Sequence, residues 1–184
     1  MEKLKGSVVS VHIGKKGELG KEATDEISST IEGIQGDRHF GYTRWSKSKE
    51  CAVRNDRQWT ALSVEEVDII RQNMELRELA AETLGPNIVV QGIPEFSQLP
   101  RGTKLLFENG AIFVVEEFTD PCSRMGQHIA DKYKIDANNQ LIKPNLFPKA
   151  SNNERGLVGV IDRPGIIKPG DAVEVVPYES KFGK

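Results

Sequence analysis

Thr103-Lys-Leu-Leu-Phe-Glu-Asn-Gly-Ala-Ile-Phe-Val-Val-Glu-Glu-Phe118 holds two runs rich in Val, Ile, Leu and Phe, parted by Asn109-Gly110. Asn and Gly both tolerate positive φ, so this pair predicts a hairpin between strands Thr103 to Glu108 and Ala111 to Phe118. Further short strands are read outward from it. Ser7 to Ile13 places Val9, Val11 and Ile13 on one face, and Asn87 to Gln91, Gly156 to Ile161 and Ala172 to Pro177 are equally apolar. Ser63-Val-Glu-Glu66 has capping-box spacing, with Ser63 as N-cap and Glu66 reaching back. Val67, Ile70 and Met74 then recur on one helical face. A second helical set, Leu76 to Leu84, stops at Gly85-Pro86, and a shorter helix over about Arg124 to Tyr133 follows Cys122. Asn138 to Pro148 reads as a loop, and Asp162 to Asp171 holds two Pro-Gly turns. Together these predict a β-rich α+β fold, a barrel with helical insertions, as one domain over 1–184 with its core at about 6–177.

With 184 residues the chain is long enough for a core without metal or disulfide staples. Its 25 Lys and Arg against 27 Asp and Glu give a net charge of −2, which argues against broad nucleic-acid binding. No apolar run reaches the roughly 18–20 residues that span a bilayer, and Met1 to Ile13 lacks the apolar stretch of a signal peptide. The expected location is the cytoplasm, with neither a membrane nor a nucleic acid as partner. Two cysteines are too few for a disulfide framework, so Cys51 and Cys122 are expected as free thiols. None of His12, His39 and His128 lies three or four residues from another histidine or a cysteine, which disfavours a structural zinc site. Phosphate-loop, dinucleotide and nucleophile-elbow motifs are absent.

Cys122 stands in Phe118-Thr-Asp-Pro-Cys-Ser-Arg-Met125, between a strand and a helix start. Backbone N–H groups there, with Arg124 nearby, favour a thiolate, the form that attacks sulfur, accepts a persulfide or binds a soft metal. The competing reading is a small buried hydrophobe at a strand end. Cys51 has polar neighbours and no helix start. Gly33-Ile-Gln-Gly-Asp-Arg-His39 combines backbone freedom with Asp37, Arg38 and His39, which could bind an anion or orient a proton carrier, or form a turn with solvated charges. Arg57 offers a planar fork for phosphate or carboxylate, or is a surface arginine. Asn87 and Arg155 carry little singly.

Taken together these residues resemble the MOSC domain family, the C-terminal domain type of molybdenum cofactor sulfurases. The resemblance runs from about Gly6 to Val176. It rests on Gly33, Gly36, Asp37, Arg38 and His39; on Arg57-Gln58; on Gly85, Asn87 and Gly92; and on Leu99, Gly102 and Leu105. Pro121-Cys122 and the closing set Arg155, Gly156, Gly159, Val160, Gly165, Ile167, Gly170 and Asp171 complete it. With no ferredoxin or desulfurase domain attached, the chain is similar to the small stand-alone bacterial type. The resemblance implies a MOSC-type β-barrel with a few helices that handles the molybdenum cofactor (molybdopterin) or sulfur destined for it. Cys122 would be the catalytic residue, as a persulfide carrier or as the molybdenum ligand. Gly36, Asp37, Arg38, His39, Arg57, Asn87, Arg124 and Arg155 would bind the cofactor, with Arg38, His39, Arg57, Arg124 and Arg155 as the candidates for its pterin phosphate. Pyridoxal phosphate would act only in a partner cysteine desulfurase, and a molybdoenzyme is the other implied partner.

Three activities follow from the resemblance: sulfur transfer to a metal–sulfur centre, molybdenum-dependent reduction of N-hydroxylated substrates, and non-catalytic binding of cofactor or partner. The long Asn138 to Ala150 stretch departs from the family pattern and is expected to rebuild one wall of the pocket.

Overall fold

Strand β1 (Leu4–Ile13) buries Val8 and Val11 across a register shift between Val8 and Ser10, so Val9 is exposed and, contrary to expectation, does not share the face of Val11, and the strand is long enough to pair on both sides. The computed structural model describes residues 4–178. The predicted domain over 1–184 therefore extends at both ends, at 1–3 and 179–184, beyond the described residues.

After β1 come β2 (Glu22–Thr24), β3 (Ile27–Thr30), β4 (Gly33–Ile34), β5 (Thr43–Ser46), β6 (Cys51–Arg54) and β7 (Trp59–Ser63). Helix α1 (Val64–Asn73) leads to β8 (Ile88–Gln91), β9 (Lys104–Phe107) and β10 (Ile112–Phe118). Helices α2 (Ser123–Tyr133) and α3 (Phe147–Ala150) precede β11 (Leu157–Arg163), β12 (Ile166–Ile167) and β13 (Ala172–Val176).

Seven strands close a barrel in the order β1, β13, β9, β10, β11, β7, β8 and back to β1. Closure leaves no long open edge. Every neighbouring pair in it is antiparallel except β7 and β8, which run parallel with Ala61 beside Ile88 and Ser63 beside Val90. A parallel pair needs a crossover, and α1 lies on that connection. β2 extends β1, while β12, β3 and β4 form a small sheet and β5 with β6 a separate hairpin. The barrel interior is apolar, built around Trp59, Phe96 and Phe113, with the Phe107 and Phe113 rings edge-to-face at 5.1 Å. A Cβ on Gly159 would stand 2.7 Å from the Trp59 ring and 1.9 Å from the Val114 carbonyl oxygen, so only glycine lets the indole lie there.

The predicted hairpin forms, with Phe113 opposite Leu105. Its turn differs from a two-residue one. Of the pair only Gly110 takes positive φ, +87°, and it donates to the Phe107 carbonyl at 2.8 Å. Asn109 joins a three-residue loop closed by that glycine. Ser63 caps α1 as expected, accepting from the Glu66 N–H at 3.1 Å. Glu66 also reaches back, its carboxylate accepting from the Ser63 N–H. Its carboxylate turns inward to the Ser97 N–H and hydroxyl at 2.6 and 2.7 Å.

The helix expected over Leu76 to Leu84 is reduced to one 3-10 turn, Ala81–Leu84. Tertiary partners take the bonds a helix would use: Tyr133 Oη accepts from the Ala80 N–H and Arg71 donates to the Leu76 carbonyl. Leu76, Leu79 and Leu84 instead fill a second apolar cluster outside the barrel, with Ile70, Met125, Ile129 and Phe147. Among the described residues no helix is long and apolar enough to cross a membrane.

Candidate functional site

Strand β10 ends at Phe118, and the Thr119 N–H bonds the Gly156 carbonyl at 2.8 Å, which pins the next turn to the start of β11. Pro121 then delivers Cys122 in extended conformation, φ −134° and ψ 149°, as the N-cap of α2. Its carbonyl accepts from the Met125 N–H at 3.1 Å. Its thiol is exposed and makes no capping bond, so the sulfur stands at the positive end of the helix. The buried-hydrophobe reading of Cys122 is thereby set aside.

The sulfur borders a cleft of about 180 Å³ whose wall also includes Arg38, His39, Arg57, Asp120 and Arg155. Four residues distant in sequence thus share the cleft with Cys122. Arg38 is half-buried and its guanidinium is held by backbone: Nη1 donates to the Gly20 carbonyl and Nη2 to that of Leu19, both at 3.0 Å. Its Nε donates to His39 Nε2 at 3.2 Å. Burial first, then the charges of Lys21, Arg38 and Arg57 against the opposing charge of Asp37, bring His39 down to about 4, so its ring is neutral at pH 7. Arg57 Nε is buried with no partner among the described residues, while Nη2 lies 3.6 Å from Glu117. Arg155 donates to the Leu84 carbonyl at 2.7 Å and lies over the Phe147 ring. Burial lowers it to about 10, against a raising influence from Cys122, and it keeps its charge at neutral pH. Three guanidinium groups, a neutral imidazole and a helix N-terminus make the cleft suited to an anion.

The other expected binding residues lie elsewhere. Asp37 is a structural hub with its side chain fully buried. It pairs with Lys21 at 2.9 Å and accepts from the Gly14 N–H, the His39 N–H and Asn87 Nδ2. Asn87 is fully buried, and its amide is consumed by Asp37, the His12 carbonyl and Thr60. Neither side chain reaches the cleft; both hold the loops that do. Gly36 is exposed with φ +79° and is absent from the cleft wall. Arg124 is exposed on α2 and borders a neighbouring basin with His128 and Lys132.

The Asn138 to Ala150 stretch contributes nothing to the cleft wall, contrary to expectation. It buries Ile142 and Phe147 behind α2, where a Cβ on Gly126 would collide with the Pro144 carbonyl. Lys21 escaped the sequence reading. Its signal was Gly14-Lys-Lys-Gly-Glu-Leu-Gly20, a glycine- and lysine-rich link directly after β1. Cys51 sits on β6 opposite Ser46, away from the cleft. Cys51→Ser is expected to change the uptake of sulfur or alkylating agent at Cys122 by less than twofold, read by mass spectrometry of the peptide that carries Cys122.

The MOSC domain model matches residues 35–174. The chain is 31% identical over 163 residues to a protein of Bacillus subtilis (strain 168) named "Putative metal-sulfur cluster biosynthesis proteins YuaD", covering 85% of this chain and 83% of that one. The crystal structure of YUAD from Bacillus subtilis superposes with a TM-score of 0.88 at 27% identity, covering 97% and 99% of the two chains. YiiM from Geobacillus stearothermophilus, at 18% identity, TM-score 0.65 and 97% and 77% coverage, shares the fold.

Proposed function

The chain belongs to the MOSC domain family, and on that premise we propose that it is a sulfur carrier for metal–sulfur chemistry, acting through a persulfide on Cys122. The observation that carries this reading is an exposed thiol at a helix N-terminus, in a cleft shared with Arg38, Arg57 and Arg155. The name of the Bacillus subtilis relative supports the same direction. The Cys122 thiolate attacks the terminal sulfur of a persulfide on a donor cysteine. The donor S–S bond breaks, the donor leaves as a thiol, and Cys122 holds the sulfane sulfur as an anionic persulfide. A recipient thiolate takes the sulfur by the same exchange. Delivery to a metal centre as sulfide needs two electrons from a thiol reductant. The donor is a partner cysteine desulfurase, whose own pyridoxal phosphate generates the persulfide, and the setting is cytoplasmic.

The molybdenum cofactor fits this cleft only in part. The unpartnered Arg57 Nε and the other cations suit a phosphate or dithiolene end. The volume of about 180 Å³ lies below the roughly 300–1,000 Å³ of sites that enclose a ligand of that size. Cys122 and these arginines would hold the anionic end, and the bound group would supply redox chemistry at molybdenum.

Purified protein incubated with a cysteine desulfurase and free cysteine should gain close to one cyanolysable sulfur per chain. Stoichiometric molybdenum, with no sulfur uptake, in protein expressed in a cofactor-producing host would overturn the carrier reading in favour of a molybdenum-dependent reductase. The cationic cleft is checked separately. Arg57→Ala should lower the rate of Cys122 alkylation by anionic iodoacetate several-fold at low salt and leave neutral iodoacetamide within about twofold.

A further inference from the structure

We propose that Arg38 is a positioning residue that locks the His39 ring as its Nδ1–H tautomer, so that the cleft presents a neutral donor to an anion on Cys122. A guanidinium has no acceptor. Its Nε–H points at His39 Nε2, 3.2 Å away, so that nitrogen must supply a lone pair and the ring proton sits on Nδ1. Among the described residues Nδ1 has no protein partner, and the ring borders the cleft.

The guanidinium is not at liberty to turn. The Gly20 and Leu19 carbonyls hold both of its ends, and the Arg38 N–H bonds the Gly14 carbonyl at 2.9 Å. Two glycines keep its space open. A Cβ on Gly14 would lie 2.5 Å from Nη1, and one on Gly85 would lie 3.1 Å from Nη2. The charged groups around the ring are Lys21, Asp37, Arg38 and Arg57, and Cys122, Asp120 and Arg155 share its cleft. Burial first, and then three cations against the single buried carboxylate of Asp37, keep the ring from becoming imidazolium, in keeping with its fall to about 4. His39 therefore neither protonates nor deprotonates the Cys122 sulfur at neutral pH. It solvates the sulfur anion with one N–H, and the proton of a departing thiol exchanges with water.

The identity of the anion rests on the persulfide reading, whereas the tautomer does not. Nitrogen-15 NMR of histidine-labelled full-length protein at pH 7 tests the lock, with the His39 ring assigned by its loss in His39→Gln. A protonated Nδ1 and bare Nε2 are expected. Arg38→Gln, and Gly14→Ala, which crowds the guanidinium and the Lys21 side chain while leaving Arg38 and His39 themselves unsubstituted, should move the proton partly or wholly to Nε2. Both should slow iodoacetate alkylation of Cys122 several-fold. His39→Asn keeps a donor near the Nδ1 position and should retain the rate within about twofold, whereas His39→Gln should lose it. A wild-type ring protonated at Nε2, or a tautomer and rate unchanged in both Arg38→Gln and Gly14→Ala, would overturn the lock. If the lock holds and Cys122 takes no sulfur from a desulfurase, the carrier reading fails and the lock stands.

Discussion

Cys122→Ser protein is expected to take up no cyanolysable sulfur from a desulfurase and yet to unfold at a temperature equal to or slightly above that of the wild type. Both halves come from one position. Cys122 is the N-cap of an 11-residue helix, in cap conformation, with a side chain that makes no capping bond. Serine is among the preferred N-cap residues and its oxygen accepts from an orphan N–H, worth about 0.5–2 kcal/mol. For a chain of this size about 1 kcal/mol corresponds to roughly 2–4 °C. A cysteine at this cap thus forgoes helix stability and presents a thiol to the cleft. Thermal unfolding by circular dichroism and sulfur by cyanolysis give the two readouts. Full sulfur uptake by Cys122→Ser would remove the thiol from the mechanism.

Asp37→Ala should have the largest effect on stability, about 3–5 kcal/mol in urea unfolding, because it strands a buried charge. Lys21 and Asp37 have fully buried side chains 2.9 Å apart, and Asp37 also terminates bonds from Gly14, His39 and Asn87. Burial brings Lys21 down to about 8 against the raising pull of Asp37. Burial raises the Asp37 carboxyl, but the Lys21 ammonium and the two backbone N–H groups outweigh it and hold it below the usual carboxylate range. A carboxylate depressed in the folded state binds fewer protons than in the unfolded state. Its contribution is present above the unfolded value near 3.9 and is lost as pH falls through the lower folded value. Lys21→Met combined with Asp37→Ala should recover part of the loss, since no unpaired charge remains. A single variant within about 0.5 kcal/mol of wild type would show that the pair holds nothing together.

Short-range signals were sound where neighbours in sequence are neighbours in space. The Asn109-Gly110 turn joins adjacent strands, and Ser63 caps its own helix, because both bonds close within three residues. The same reading overextended Leu76 to Leu84, where leucine spacing suited a helix but Tyr133 and Arg71 took the backbone groups. It passed over β2, β3, β5 and β6, which are three or four residues long and too short for a period to emerge, and only pairing with a partner segment makes them strands.

At the site, residue type marked Cys122, Arg38, His39, Arg57 and Arg155, and barrel closure brought them to one cleft. Asp37 and Asn87 carry equally chemical side chains, and nothing in their own segment says that burial spends them on Lys21, His12 and Thr60. The chain on its own determined the apolar pattern of a β-rich domain and a thiol between strand and helix, since both depend on bonds made locally. Which polar groups face solvent and which face one another depends on contacts across dozens of residues, and only the folded barrel decided that.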